Sequence, residues 1–295
     1  MKILIKGPKS NVPNKFLKHI LNRINHYIAR KNILTNPRLV IFSFDHIGLK
    51  INLDGRYEDS SLKLVENLIS ERLPNSHNEA VLDIGANIGN HSVFLSKFFK
   101  NVYAFEPNPI TYEVLKINAK YASVKKNIKP LNFGLSNKET NLPFYISDHN
   151  MGASQIVSTE SDAIKRENNI SVFVKTADDV DEIKDEDISL IKIDIEGHEI
   201  KALKGAEKIL TSRKPLILFE QSEKEIYNGT SQVISYLSSL EYKFYIIQKN
   251  FYFGENFVQK LANLVLCSIF GEQYFFVEEK KFKKKYYDLI LAIHE

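Results

Sequence analysis

The sequence has almost no cysteine, since Cys267 is its only one. A single cysteine excludes an internal disulfide and a cysteine-rich metal site, which fits the reducing conditions of a cytoplasm. Long apolar runs are also absent, because none reaches about 18 residues, the length that suggests a membrane-spanning helix. The first residues, MKILIKGP, are too short and too soon interrupted for a signal peptide. We therefore expect a cytoplasmic protein with no stable insertion in a membrane.

A strong excess of one charge is missing as well. The chain has 40 basic and 36 acidic residues and a formal net charge of +4, which is not the pattern of a general nucleic-acid binder. Its 295 residues are 43% hydrophobic, enough for one large core with an appended N-terminal element. The composition fits an enzyme without a nucleic-acid partner.

The most informative stretch that is present runs from Val81 to Ser92 and continues from Val102 to Pro107. It reads as strand, glycine turn, helix, strand and acidic residue, which is a nucleoside-binding crossover. Glu106 ends the second strand, where a carboxylate can accept hydrogen bonds from both ribose hydroxyls. The G-x-G-x-x-G spacing that admits a pyrophosphate is absent. The form D-x-G-x-N-x-G that begins at Asp83 instead resembles motif I of the class I S-adenosylmethionine (SAM) dependent methyltransferases.

A second stretch, Leu190–Glu199 followed by Ala202–Ala206, narrows the family, together with Val174–Val180 upstream. These motifs resemble the FkbM-type methyltransferases, and the resemblance extends over about residues 80–221. It implies a Rossmann-like SAM-binding domain and O-methylation of a sugar or a natural product. The acceptor is then a small molecule or a glycan precursor, such as a nucleotide-linked or capsular sugar.

The resemblance also implies which residues bind SAM. The residues of the glycine turn should hold the methionine part, Glu106 the ribose, and the loop at residues 132–135 should pass near adenine, although the usual acidic residue of that loop is missing. The predicted cofactor-binding residues are Asp83, Gly85, Ala86, Asn87, Gly89, Asn90, His91, Glu106, Asn108, Gly134 and Leu135.

Methyl transfer to a hydroxyl needs a group that removes the hydroxyl proton. His198 is the predicted base, with Asp194 and Glu196 as catalytic carboxylates that would raise its pKa. A structural alternative is that His198 only begins a helix. Asp194 and Glu220 end neighbouring predicted strands and form a candidate Mg²⁺ or Mn²⁺ site, since both are hard oxygen ligands.

The predicted fold is α/β, a Rossmann-like sheet of seven mostly parallel strands with helices on both faces. Its strands are predicted at residues 80–84, 101–105, 128–134, 188–194, 215–220, 242–248 and near 263–267, and its helices at residues 60–72, 90–99, 110–121, 199–210 and 231–240. The last strand is expected to run antiparallel, by resemblance. An extra short strand is predicted at residues 142–147 and a polar loop at residues 158–169.

The predicted divisions of the chain are an N-terminal extension over residues 1–72, the methyltransferase domain over residues 73–270 and a basic tail over residues 271–295. The extension should contain an amphipathic helix over residues 14–30, expected to pack on its own domain, with a membrane surface or a partner as alternatives. Residues 38–44 and 47–53 have strand composition and predict a hairpin. The basic run Lys280–Tyr287 in this tail is expected to be a solvated face, with binding of phosphates or of an acidic lipid surface as the alternatives.

Two other functions stay open at this point. A nicotinamide-dependent oxidoreductase would use the same kind of crossover, although the missing G-x-G-x-x-G disfavours it. A SAM-binding module without catalysis would carry the same motif and transfer nothing.

Overall fold

The computed structural model describes residues 12–147, 151–157, 169–250 and 256–294. The helices in these ranges are α1 (Val12–Thr35), α2 (His46–Asp54), α3 (Asp59–Arg72), α4 (Asn90–Leu95), α5 (Pro109–Tyr121), α6 (Glu199–Lys204), α7 (Glu207–Ser212), α8 (Gln232–Ser239) and α9 (Phe257–Phe270). The strands are β1 (Ala80–Ile84), β2 (Asn101–Phe105), β3 (Ile128–Leu131), β4 (Gly134–Leu135), β5 (Thr140–Tyr145), β6 (Gln155–Ile156), β7 (Asn169–Lys175), β8 (Ile188–Ile193), β9 (Leu216–Gln221), β10 (Tyr242–Lys249), β11 (Tyr274–Glu278) and β12 (Tyr287–His294).

The main sheet has the order β11-β10-β12-β9-β8-β1-β2-β3 within the described part of the chain. Strands β3, β2, β1, β8 and β9 are mutually parallel, and β12 runs antiparallel to β9 and to β10. This is the predicted α/β Rossmann-like fold. The strand order reverses between β1 and β8, so the carboxyl ends of these two strands form the crevice where open α/β sheets bind ligands.

Both faces of the main sheet are covered because neighbouring residues of each strand point to opposite sides. In β8, Leu190 packs with α3, α4 and α5, whereas Ile191 packs with α6 and α8. A second sheet, of order β4-β7-β5-β6, branches from the chain after β3 and has its own small apolar cluster around Phe144 and Val174. This second sheet lies beside the crevice and contributes to it.

Several predicted elements have different bounds in the structure. Strand β3 ends at Leu131, and Gly134 and Leu135 belong to the second sheet. The predicted helix over residues 199–210 is two helices, because the chain turns at Gly205, where a Cβ atom would lie 1.9 Å from the Ser136 carbonyl oxygen. The predicted helix over residues 90–99 ends at Leu95. The extra strand begins at Thr140, and the predicted loop lies outside the described residues up to Asn169, which begins β7.

The predicted hairpin in the N-terminal extension is wrong. Residues 46–54 form α2, because the Asp45 side chain accepts a hydrogen bond from the Ile47 amide and Gly55 ends the helix in a left-handed conformation. These end signals outweigh the strand composition of the segment between them.

The last predicted strand and the basic tail also need correction. Residues 263–267 lie in α9, whose first turn is closed by a reciprocal capping box between Asn256 and Gln259. The antiparallel strand is β12, which lies inside the sheet between β9 and β10, and β11 adds an eighth strand at the edge. Most of the segment predicted as a basic tail therefore belongs to the sheet, whereas the lysines of the basic run between β11 and β12 are exposed, as expected of a solvated face.

The amphipathic helix is present as α1, but the prediction that it packs on its own domain is wrong for its first part. Residues 14–27 are all exposed, and Phe16 keeps 69% of its surface accessible. None of the helices in the described ranges has both the length and the apolar character that crossing a membrane requires.

Candidate active site

The glycine turn after β1 brings three backbone segments into close contact. The amides of Gly85 and Ala86 both donate to the Phe105 carbonyl oxygen, at 3.0 Å. A Cβ atom on Gly85, whose φ is +79°, would lie 1.9 Å from the carbonyl oxygen of Asp194. Only glycine allows the end of β8 to pass so close to the turn. The turn and the Asp194 segment are thereby fixed against each other.

Glu106 joins the end of β2 to the same turn. Its carboxylate accepts hydrogen bonds from the backbone amides of Asn87, at 2.9 Å, and Asn108, at 2.8 Å. Burial raises the pKa of Glu106 to about 7, against the opposing effect of these two donors. Each oxygen uses one acceptor site for an amide, so each keeps a second site for a ligand hydroxyl.

A cleft of about 590 Å³, its open mouth included, runs between the turn and the second sheet. The lining residues are Ile84, Gly85, Asn87, Phe105, Glu106, Pro107, Gly134, Leu135, Phe144, Met151, Gly152, Ser154, Ile156, Asp194, Ile195 and Glu196. Five of the predicted SAM-binding residues lie here, as do two predicted catalytic carboxylates. The structure thus brings the nucleoside motif and Asp194–Glu196 into one cleft.

The other predicted SAM-binding residues do not line this cleft. Asp83 is fully buried, where it accepts a hydrogen bond from the Ser92 hydroxyl at 2.5 Å. Ala86 is a core residue, and a Cβ atom on Gly89 would meet the Leu115 side chain. These three residues are packed in the interior and support the shape of the turn without lining the cleft.

Three further predicted ligand contacts have structural partners. Asn90 exchanges two hydrogen bonds with the Tyr57 backbone, and His91 contacts the Glu58 carboxylate at 3.1 Å. Both thereby hold the N-terminal extension against the domain. Asn108 caps α5 through its side-chain oxygen. Its side-chain nitrogen, Nδ2, is buried with no hydrogen-bond partner among the described residues. That nitrogen is an unused donor beside Glu106.

A buried lysine organises the acidic side chains at the end of β8. Lys192 Nζ lies 3.2 Å from the Gly85 carbonyl oxygen, 3.4 Å from Asp194 Oδ2 and 3.6 Å from Asp83 Oδ1. Burial alone would lower the pKa of Lys192, but Asp194, Asp83 and Glu220 raise it above its ordinary value. The ammonium group therefore stays charged and links the glycine turn to the acidic side chains.

The predicted metal site is not supported. The charge of Lys192 already lies among these carboxylates, and Glu220 accepts a hydrogen bond from the Tyr286 hydroxyl. Burial and the charge of Asp194 raise the pKa of Glu220 to about 9. Across the described ranges, no group of three or more His, Cys, Asp or Glu side chains could hold a metal ion.

His198 does not have the environment predicted for a base. It precedes α6, is 4% exposed, and does not line the cleft; its Nε2 lies 3.0 Å from the Ser136 hydroxyl. Burial, with a smaller effect of Lys201, lowers its pKa to about 4. Glu199 instead accepts hydrogen bonds from the Ile195 and Gly197 amides. The carboxylates therefore do not stabilise a His198 imidazolium. The position of His198 agrees with the alternative stated above, that it only begins a helix.

Glu196 is the carboxylate placed for chemistry in this segment. It lines the cleft in a left-handed conformation, with φ at +51°, which is uncommon for a residue with a side chain. Its side chain is exposed at the cleft, yet desolvation by the surrounding protein and the neighbouring charges of Asp194 and Glu225 raise its pKa. A raised pKa makes a carboxylate a stronger proton acceptor.

Sequence reasoning missed the residues that the extension and the C-terminal segment bring to this edge. A second cavity beside Lys192 is lined by Glu58, His91, Glu220 and Asp288, among others. Burial raises the pKa of Tyr57, and the charges of Glu58, Glu220 and Asp194 raise it further. No motif marks Tyr57, Glu58 or Asp288, because they meet the predicted residues His91 and Glu220 only through contacts between distant parts of the chain.

Comparison with known proteins gives matches over the same region. The family profile described as the methyltransferase FkbM domain matches residues 83–244. The hexuronic acid methyltransferase AglP of Haloferax volcanii is 32% identical over 137 residues, which are 45% of this chain and 52% of that protein. Methyltransferase sdnD of Sordaria araneosa is 29% identical over 159 residues, 44% of this chain and 61% of that protein. The matched regions thus span little more than half the length of these curated relatives.

Among solved structures, the FkbM methyltransferase of Methylobacillus flagellatus matches with a TM-score of 0.41 and 19% sequence identity. The match covers 76% of this chain and 46% of that one.

Proposed function

Because the chain belongs to the methyltransferase FkbM family, we propose that it is a SAM-dependent methyltransferase that methylates a hydroxyl of a sugar. The observation that carries the proposal is the single cleft in which Glu106, with two free acceptor sites, faces the segment Asp194–Glu196. The sugar is favoured because one relative is named a hexuronic acid methyltransferase. A small natural product is the other acceptor class.

The residues at the cleft fit SAM. Glu106 would accept hydrogen bonds from the two ribose hydroxyls. Apolar side chains of the second sheet, Phe144 and Ile156, would cover the apolar parts of the nucleoside. When bound, SAM supplies a methyl group on a positively charged sulfur, which an oxygen nucleophile can attack.

The protein's own task is then to orient the acceptor and to remove its proton. We assign proton removal to Glu196, since it lines the cleft and has a raised pKa. Asp194, fixed by Lys192, would orient the hydroxyl. His198 has no part in this scheme because its ring is buried against Ser136.

Mass spectrometry after incubation with SAM tests the proposal. The acceptors are a nucleotide-linked hexuronic acid and the matching neutral hexose, and a gain of one methylene mass on either supports it. Glu196→Gln should lower turnover by about 10²–10⁴-fold and leave the affinity for S-adenosylhomocysteine unchanged. Glu207→Gln, an exposed change in α7, is the matched control.

Two results would contradict the assignment. Binding of SAM with no methylated product from any acceptor of either class would favour a SAM-binding module without catalysis. Binding of NAD but not SAM would favour the oxidoreductase.

A further inference from the structure

The first part of α1 extends from the domain without covering it. Residues 14–27 are all exposed, so more than half of this helix keeps its side chains accessible. The helix is anchored only toward its C-terminal end, where the Asn32 amide donates to the Leu53 carbonyl oxygen at 3.1 Å. Gly55 packs against Asn32 and Asn36 at the same place. An unpacked helix of this length needs another surface to bury its apolar side chains.

One side of this helix is apolar and is defined by Phe16, Leu17, Ile20, Leu21 and Ile24. They are 69%, 56%, 40%, 54% and 51% exposed. At about 100° per residue, these five side chains lie within an arc of about 140°. We call this arc the apolar face of α1. It is wide enough to be buried against one continuous surface.

The rest of the helix is basic. Lys15, Lys18, Arg23 and Arg30 lie outside the apolar face and are exposed. Residues 12–35 contain no aspartate or glutamate. Lysine and arginine beside an apolar face are the features of a helix that lies in the plane of an anionic membrane, where the apolar face enters the lipid and the cations meet the headgroups.

The anchored end of α1 lies at a groove that borders the cavity beside Lys192. Tyr27 and Lys31 line a groove together with Glu58 and Asp288. Glu58 and Asp288 also line the cavity beside Lys192. The groove at the anchored end of α1 and the cavity beside Lys192 therefore share a border at Glu58 and Asp288.

We infer that α1 docks the protein on the surface of an anionic lipid bilayer. A nucleic acid fits less well, because its phosphates would leave the apolar face without a partner. A second copy of the chain fits less well too, because pairing two such helices would bring their unbalanced positive charges together. The inference concerns membrane binding alone and does not depend on which reaction the cleft performs.

Sedimentation of the full chain with lipid vesicles tests the inference. The protein should bind vesicles of phosphatidylcholine and phosphatidylglycerol in equal parts, bind phosphatidylcholine alone weakly, and be released by added salt. Lys18→Glu with Arg23→Glu should weaken binding at least roughly thirtyfold, since each cation near such a surface contributes about a fivefold gain. Ile20→Asp with Ile24→Asp should abolish it. Circular dichroism and the unfolding midpoint should not change, because these side chains are exposed.

The controls make the same changes elsewhere. Lys125→Glu with Lys204→Glu reverses two exposed charges outside α1, and Val258→Asp with Val265→Asp alters the exposed side of α9. Both should bind mixed vesicles like the native protein. Absence of vesicle binding, or equal loss in a control pair, would overturn the inference. So would a dimer in light scattering that the Ile20→Asp and Ile24→Asp pair dissolves, since the face would then bind a second copy.

Discussion

Replacing Glu106 by glutamine should weaken the binding of S-adenosylhomocysteine while the fold remains. In the native protein Glu106 Oε2 accepts from the Asn87 amide and Oε1 accepts from the Asn108 amide. The amide of glutamine keeps one oxygen and replaces the other with a donor. The new NH₂ group would face a backbone N–H, which is also a donor. It also cannot accept a hydrogen bond from a ribose hydroxyl, as the replaced oxygen could.

The size of the effect follows from this count of acceptor sites. Hydrogen bonds to a charged group contribute about 1.5–3 kcal/mol each, roughly twice a neutral one. The substitution removes one such hydrogen bond to the ribose and makes the other neutral, so the lost binding free energy is about 2–4 kcal/mol. Affinity should therefore fall roughly 30- to 1000-fold. Glu113→Gln, an exposed change in α5, should leave the affinity unchanged.

The pH dependence gives an independent check on the same carboxylate. Because burial raises the pKa of Glu106 to about 7, the ionised acceptor is lost as the pH falls below about 7, and native affinity should fall with it. In the variant this part of the pH dependence should be missing. Isothermal titration calorimetry from pH 5.5 to pH 8.5, run on both proteins, measures both effects. An unchanged dissociation constant at pH 8 in the variant would refute the placement of the ribose at Glu106.

Three further substitutions test the surroundings of the cleft. Gly85→Val should abolish S-adenosylhomocysteine binding, because a side chain at this φ of +79° would displace the Asp194 segment; native-like binding in titration would show that the turn tolerates this shift. His198→Gln should keep turnover at neutral pH. Since the folded-state pKa of His198 is lowered to about 4, the native protein should lose stability as the pH falls from about 6.5 to 4, by up to about 3 kcal/mol. Urea unfolding at pH 7 and pH 5 should show a smaller loss in the variant. Lys192→Met should cost about 3–5 kcal/mol of unfolding free energy, whereas Lys63→Met, at an exposed ion pair of 2.7 Å, should cost less than about 1 kcal/mol.

The sequence was sufficient for the part of the fold that local pattern determines. Strands β1 and β2 have the predicted bounds because each is a short apolar run ended by glycine or by an acidic residue and proline. The position of Glu106 at the cleft followed from the same pattern, since the carboxyl ends of neighbouring parallel strands share one edge. These conclusions needed no information about distant contacts.

The hairpin and the last strand were predicted wrongly for the opposite reason. Residues 46–54 contain strand-forming side chains, but the cap at Asp45 and the glycine at 55 decide for a helix. Strand β12 lies between β9 and β10 only because the chain returns to the sheet after β11. Its residue Tyr287 pairs with Gln221 of β9, which is 66 residues earlier in the sequence. Residues 280–285, just before β12, are basic. Their composition is typical of a solvated segment and gives no indication that the chain returns to the sheet.

His198 shows why residue type and spacing alone do not identify a general base. A histidine beside three acidic residues resembles a general base, yet whether carboxylates raise its pKa depends on where each one points. Glu199 faces the backbone amides before α6, Asp194 faces Lys192, and Glu196 faces the cleft. The ring therefore experiences burial against Ser136 rather than negative charge. Because the tight turn with Glu196 at φ +51° and Gly197 at φ +94° sends adjacent side chains to different surroundings, our proposal assigns the role of base to Glu196, two residues before the histidine, and the Glu196→Gln variant tests that assignment.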